Sequence, residues 1–196
     1  MSAQNRVTPF GTIEALPGRG TLMGNRGSIH EGRTIKRPYA SKAWITCVLE
    51  FKGWRAPMWE PNRWTPLFFL DEATSLAAGH RPCALCRRAD HQRFRTAWGD
   101  TPLAVIDATL HEERLVGRGR ASAKCTVEVE GDLPDGAMVA LDDRAWLVLG
   151  GSLRAWSMDG YGDERPCPKT VTLLTPPSLV DVLWRGYAPM LHETAR

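Results

Sequence analysis

Residues 79–88 read GHRPCALCRR, two cysteines two residues apart in a basic turn marked by a proline. This pair constrains the chain more than any other feature. Segments on either side have helical character, so the turn between them must place Cys83 and Cys86 close together. A Cys-x-x-Cys spacing lets both sulfurs face one metal, and zinc takes four tetrahedral nitrogen or sulfur ligands. Arg81, Arg87, Arg88 and the start of a helix lower thiol pKa, which favours the ligating thiolate. A redox pair fits less well. It needs a strand opening into a helix within a βαβ pattern, whereas here a short helix comes first. Two reduced thiols in a core remain the third reading, because no second Cys-x-x-Cys completes a zinc signature.

The five cysteines are an odd number at uneven spacing, which argues against a disulfide framework. The first twenty residues lack the basic start and apolar run of a secretion signal. No stretch of 18 apolar residues is present, so no membrane span is predicted. A cytoplasmic location follows as the expectation, and thiols there stay reduced.

Charge is uneven. Residues 1–100 carry 15 Lys and Arg against 8 Asp and Glu, while residues 101–196 carry 10 against 14. A basic half is the electrostatic footprint that phosphate backbones attract. Residues 18–38 hold five glycines among several arginines and lysines and read as a loop. Gly20, Gly24 and Gly27 would let its backbone approach a ligand. The segment lacks the Lys-Ser/Thr ending of a phosphate-cradling P-loop.

AWITCVLEF, residues 43–51, reads as a strand, and so does TPLFFL, residues 65–70. Between them lie three tryptophans among prolines, read as capping a small core rather than stacking on bases. Asp71 is a candidate N-cap for a short helix closed by Gly79. RRADHQRFRTAW, residues 87–98, reads as a second helix, with Phe94 and Trp98 on one face and Arg87, Arg88, Arg93 and Arg95 on others. Beyond residue 100 the pattern changes. PLAVIDATL, KCTVEVEG, AMVALDD, AWLVLGG, LRAWSM and TVTLLT are short apolar or alternating runs separated by turns. They predict a small antiparallel sheet or barrel, closed by a helix in PPSLVDVLWRGY.

The fold class is α+β: a zinc-centred N-terminal unit of two short strands and two helices, then a β-rich part. The units divide near residue 100, as 1–100 and 101–196. No clear linker separates them, which leaves one shared core open.

The stretch PLFFLDEATSLAAGHRPCALCRR, residues 66–88, resembles the second half of the metal-binding domain of the Ada-type DNA-repair methyltransferases. The residues that carry the likeness are Phe68, Phe69, Glu72, Ala73, Leu76, Ala77, Ala78, Gly79, Arg81, Pro82, Cys83 and Cys86. His80 stands at an aromatic position of that pattern. In that family the two cysteines bind zinc with two more from an upstream strand and loop, and one upstream thiolate takes a methyl group from a DNA phosphotriester. The family's upstream Cys-x-x-x-Cys has no counterpart here; Lys52 and Ala56 stand at the comparable distance. The resemblance implies zinc on Cys83 and Cys86 and a ligand on the preceding strand, where Cys47 stands; His30, in a glycine-rich loop flexible enough to bend toward the site, is the other candidate ligand. His80 and His91 flank the pair. Cys125 and Cys167 read as core or turn residues.

The leading expectation is a zinc protein that contacts DNA, in repair or regulation, with Arg19, Arg26, Arg33, Arg87, Arg88, Arg93 and Arg95 facing phosphates. Two alternatives stand beside it. One is an enzyme whose thiolate accepts an alkyl group from damaged DNA. The other is a structural zinc protein whose β-rich half binds a small molecule or a protein. His111 beside Glu112 and Glu113 does not complete a His-Glu-x-x-His zinc motif and reads as a solvated turn. SMDGYGDE, residues 157–164, reads as a hairpin turn.

Overall fold

A computed structural model describes residues 3–117 and 123–196. The described residues form two six-stranded sheets, three two-stranded ribbons and four α-helices: α1 (Glu72–Ala77), α2 (Arg88–Trp98), α3 (Leu103–Arg114) and α4 (Pro177–Trp184). No helix of the described residues is long and apolar enough to cross a membrane.

The N-terminal sheet runs in the order Arg81–Pro82, Ile45–Cys47, Leu22–Asn25, Leu67–Phe69, Arg6–Val7, Ile13–Glu14. It is mixed: the Arg81–Pro82 edge lies parallel to Ile45–Cys47, and Arg6 pairs in parallel with Phe68. The two predicted strands are present, but the basic glycine-rich segment is not a loop. Leu22–Asn25 is a central strand, and His30–Glu31 pairs with Thr34–Ile35 in a small hairpin. Gly24 explains the difference. A Cβ there would sit 2.1 Å from the Ile45 carbonyl oxygen, so this glycine permits close strand packing rather than approach to a ligand.

The C-terminal sheet is antiparallel throughout, in the order Val127–Glu130, Thr170–Leu173, Met138–Leu141, Arg144–Leu149, Ser152–Ser157, Gly160–Pro166. The β-rich reading of the second half holds here with one exception. PLAVIDATL forms most of α3, whose Ile106, Leu110 and Arg114 are buried at four-residue spacing, one face of a helix. Val105, Ile106 and Thr109 are β-branched and gave the segment its strand-like look, but packing overrides that preference.

The largest core does not respect residue 100. Leu76, Phe94, Ala97, Ile106 and Leu110 pack with Val139, Trp146, Val171, Leu179 and Tyr187 in one cluster. Buried carboxylates tie the same parts together. Asp71 caps α1 by accepting from Thr74 N and also accepts from Tyr161 Oη and the His192 backbone. Glu72 accepts from Tyr187 Oη at 2.6 Å, from Met190 N at 2.9 Å and from Arg87 Nη2 at 2.8 Å. Buried charges of this kind persist only when paired and hydrogen-bonded.

Candidate metal centre

Strand pairing assembles the centre. The parallel register sets Pro82 opposite Thr46, and Cys83 N donates to Thr46 O at 2.9 Å. Cys47 and Cys83 therefore leave adjacent strands at the same level. The chain then turns, with Arg87 N donating to Cys83 O at 3.2 Å, and α2 starts at Arg88. This turn returns Cys86 to the other two. The sulfurs of Cys47, Cys83 and Cys86 all lie within 4.8 Å of one another, close enough to hold one metal ion. All three are free thiols.

The electrostatics divide the three. Hydrogen bonds from Cys47 and Cys86, then from the backbone N–H groups of Cys86 and Leu85, outweigh burial and pull Cys83 far down into the thiolate range. Cys47 is pushed up by its bonds to Cys83 and Cys86 and by burial. At Cys86 the bond with Cys47 lowers the pKa, but the bond to Cys83, burial and the charge on Cys83 together raise it. Of the three sulfurs, Cys83 is the one its neighbours favour as the thiolate. A cation of thiolate affinity replaces the protons on the other two.

The sulfurs lie at the floor of a cleft of about 290 Å³ walled by Phe51, Trp54, Trp64 and Leu85. Trp54 is 52% exposed and Leu85 is 72% exposed, so both rim the open mouth of the cleft. Trp54 and Trp64 meet at 6.2 Å between centroids. Of the three tryptophans read as core caps, Trp64 packs against the cysteine cluster and Trp54 faces outward. The two sulfurs are legible in the motif, but the cleft is not, because its walls come from three separate segments, the Phe51–Trp54 hairpin, Trp64 and Leu85.

The other proposed ligand, His30, is not part of the group. Its Nδ1 lies 2.6 Å from Thr65 Oγ1 and its Nε2 lies 3.2 Å from Glu60 O, so both ring nitrogens are engaged. His91 bonds Pro82 O through Nδ1 at 3.1 Å, and burial lowers its pKa. His80 is fully buried and packs edge-on against Phe69 at 4.7 Å, filling the role of an aromatic residue. Cys125 and Cys167 lie outside the cluster.

The arginines expected at phosphates fall into two groups. Arg19, Arg33 and Arg88 are exposed, Arg95 is half-buried, and Arg93 is exposed with its Nη2 2.6 Å from Asp90. Arg26 and Arg87 are not available to a nucleic acid. Arg87 is 4% exposed and held by Glu72 and Asp90. Arg26 is 2% exposed, with its guanidinium over the Trp44 ring at 3.9 Å. Composition places these two on a basic surface, but burial gives them interior partners.

With the geometry in place, comparison of the chain with family models, curated proteins and solved structures finds no match.

Proposed function

We propose that this chain is a zinc protein, with the metal held by Cys47, Cys83 and Cys86, and that it binds DNA through the exposed cations of its N-terminal half. The three-sulfur cluster carries the reading. Three thiols converging from a strand and a turn match the soft donor set that zinc selects, and three protein ligands leave a fourth position for a small molecule or a further residue. The DNA part rests on the basic balance of residues 1–100, on Arg19, Arg33, Arg88, Arg93 and Arg95, and on the resemblance of residues 66–88 to the Ada-type metal-binding domain. Contacts of this kind go to phosphates and carry little sequence preference.

Fluorescence anisotropy with a labelled duplex tests the DNA part. Affinity falls as salt rises, and replacing Arg19, Arg33 and Arg88 by Gln flattens the salt slope by roughly one per lost phosphate contact. An affinity indifferent to salt would dismiss DNA as the partner.

A second reading is favoured by the cleft above the sulfurs. A cluster thiolate accepts an alkyl group from a phosphotriester: the sulfur–carbon bond forms, the carbon–oxygen bond breaks, and the phosphodiester leaves with the electron pair. Intact-mass measurement after incubation with methyl-phosphotriester DNA then finds one added methyl group on Cys47, Cys83 or Cys86. An unchanged mass rejects this reading and leaves the first one standing.

A further inference from the structure

Away from the cysteines, a second cavity is lined by positive charge that forms no ion pair with any of the described residues. It measures about 530 Å³, within the range of small-molecule sites. Arg26, Arg114 and Lys124 lie in its wall, together with an apolar surface that includes Phe10, Ile13 and Ile35. Trp44 is clamped between the two guanidiniums, with Arg26 Cζ at 3.9 Å and Arg114 Cζ at 3.7 Å from its ring centroid. Both arginines are held by neutral acceptors. Arg26 donates to His80 Nε2 at 3.3 Å and to Gly11 O at 3.0 Å. Arg114 donates to Gly79 O and Lys42 O, both at 2.7 Å. Lys124 Nζ donates to Ala77 O.

Three polar atoms in this region are buried with no hydrogen-bond partner among the described residues: Arg26 Nη2, Arg114 Nε and His80 Nδ1. Among the described residues no carboxylate forms an ion pair with Arg26, Arg114 or Lys124; the nearby Asp107 is taken by Arg81 at 2.7 Å. Residues 1–2 and 118–122 contain no Asp or Glu at all. Among the described residues, then, Asp107 acts on Arg114 only through space, and no carboxylate stands in contact with these three cations. Buried cations without one are costly, and fixed donors around an apolar hollow are the usual arrangement for capturing an anion. Burial pushes all three cations down, Arg26 to about 9, Arg114 to about 8 and Lys124 to about 7; repulsion from neighbouring cations adds to this at Arg114 and Lys124, and Asp107 offsets only part of it at Arg114.

We propose that this cavity binds a small organic oxyanion, a phosphate monoester or carboxylate carrying an apolar body, with Arg26, Arg114 and Lys124 holding the anion and Phe10, Ile13 and Ile35 covering the rest. The site shares no residue with the cysteine cleft, so it stands whether or not the chain binds zinc or DNA.

Calorimetry on the full chain with phenyl phosphate, benzoate, inorganic phosphate and phenol tests this assignment. Phenyl phosphate or benzoate binds saturably at one site per chain, at least tenfold more tightly than inorganic phosphate, and phenol does not bind. Lys124→Gln weakens the anion by about tenfold, the scale of one charge-assisted contact. Arg26→Gln abolishes binding; should that variant fail to fold, the Lys124 variant and the wild-type titrations decide alone. No saturable binding of phenyl phosphate or benzoate up to about 10 mM would overturn the proposal. Equal affinity for inorganic phosphate would overturn its apolar half, and undiminished affinity in Lys124→Gln would overturn the location.

Discussion

At Gly79 the chain takes a φ of +82°, and a Cβ there would lie 2.5 Å from Arg114 Cδ. Only glycine ends α1 in this conformation while leaving room for Arg114 to reach the Gly79 carbonyl. Gly79→Ala lowers unfolding free energy by about 1 kcal/mol or more, read by urea denaturation at constant metal. An unchanged midpoint would remove this reason for the glycine. This residue, the Asp71 cap and the cysteine pair were all legible in the sequence because each acts through neighbours a few positions away. Arg26 was not. Nothing local distinguishes it from the exposed Arg19 and Arg33, and its partners Trp44 and His80 lie 18 and 54 positions along the chain. Cys47 was legible only as a candidate, since the pairing that brings it to Cys83 is a parallel contact between distant segments.

Among the elements, the turn from Pro82 into α2 does the most. It delivers two sulfurs, and its last residue, Arg87, reaches back to Glu72 in α1. Replacing Arg87 by Met leaves the buried Glu72 without its cation and costs about 3 kcal/mol, measured by denaturant unfolding. If Arg87 were instead a phosphate contact, the same change would spare stability and weaken DNA binding. The turn also sets a pH dependence. Cys47 and Cys86 are raised, so both hold protons at neutral pH when no metal is present. Metal must displace them, and apparent affinity rises with pH by up to about tenfold per unit for each proton released, falling on acidification. Competition with a chromophoric chelator across a pH series measures this slope, and a flat profile would mean that no thiol proton is displaced. Element type was legible where periodicity was clean, as in α2 and the antiparallel strands. It was not legible in α3, where the i, i+4, i+8 face of Ile106, Leu110 and Arg114 is embedded in β-branched neighbours.

Over the whole molecule, the cysteine-bearing N-terminal part and the β-rich sheet are joined by a continuous core and by the carboxylates of α1. Tyr161, Tyr187 and the His192 backbone all reach back to Asp71 or Glu72. The sequence shows a change of pattern near residue 100, but such a change marks a change of architecture, not an end to packing. One consequence of the proposed metal is mechanical: its loss would free the turn that carries Arg87, and the Arg87–Glu72 pair links that turn to the C-terminal segment. Chelation of the metal therefore lowers the single thermal midpoint of the whole chain instead of melting residues 1–100 separately, as calorimetry would show. Two separate transitions would contradict a shared core. The central claim is that three sulfurs hold one metal, and metal content per chain tests it most directly. Elemental analysis of purified protein is predicted to find about one zinc per chain in the wild type and in His30→Ala, and little in Cys47→Ser, Cys83→Ser or Cys86→Ser, each of which loses one of the three sulfur ligands. Full zinc in Cys47→Ser, or its loss in His30→Ala, would contradict the account.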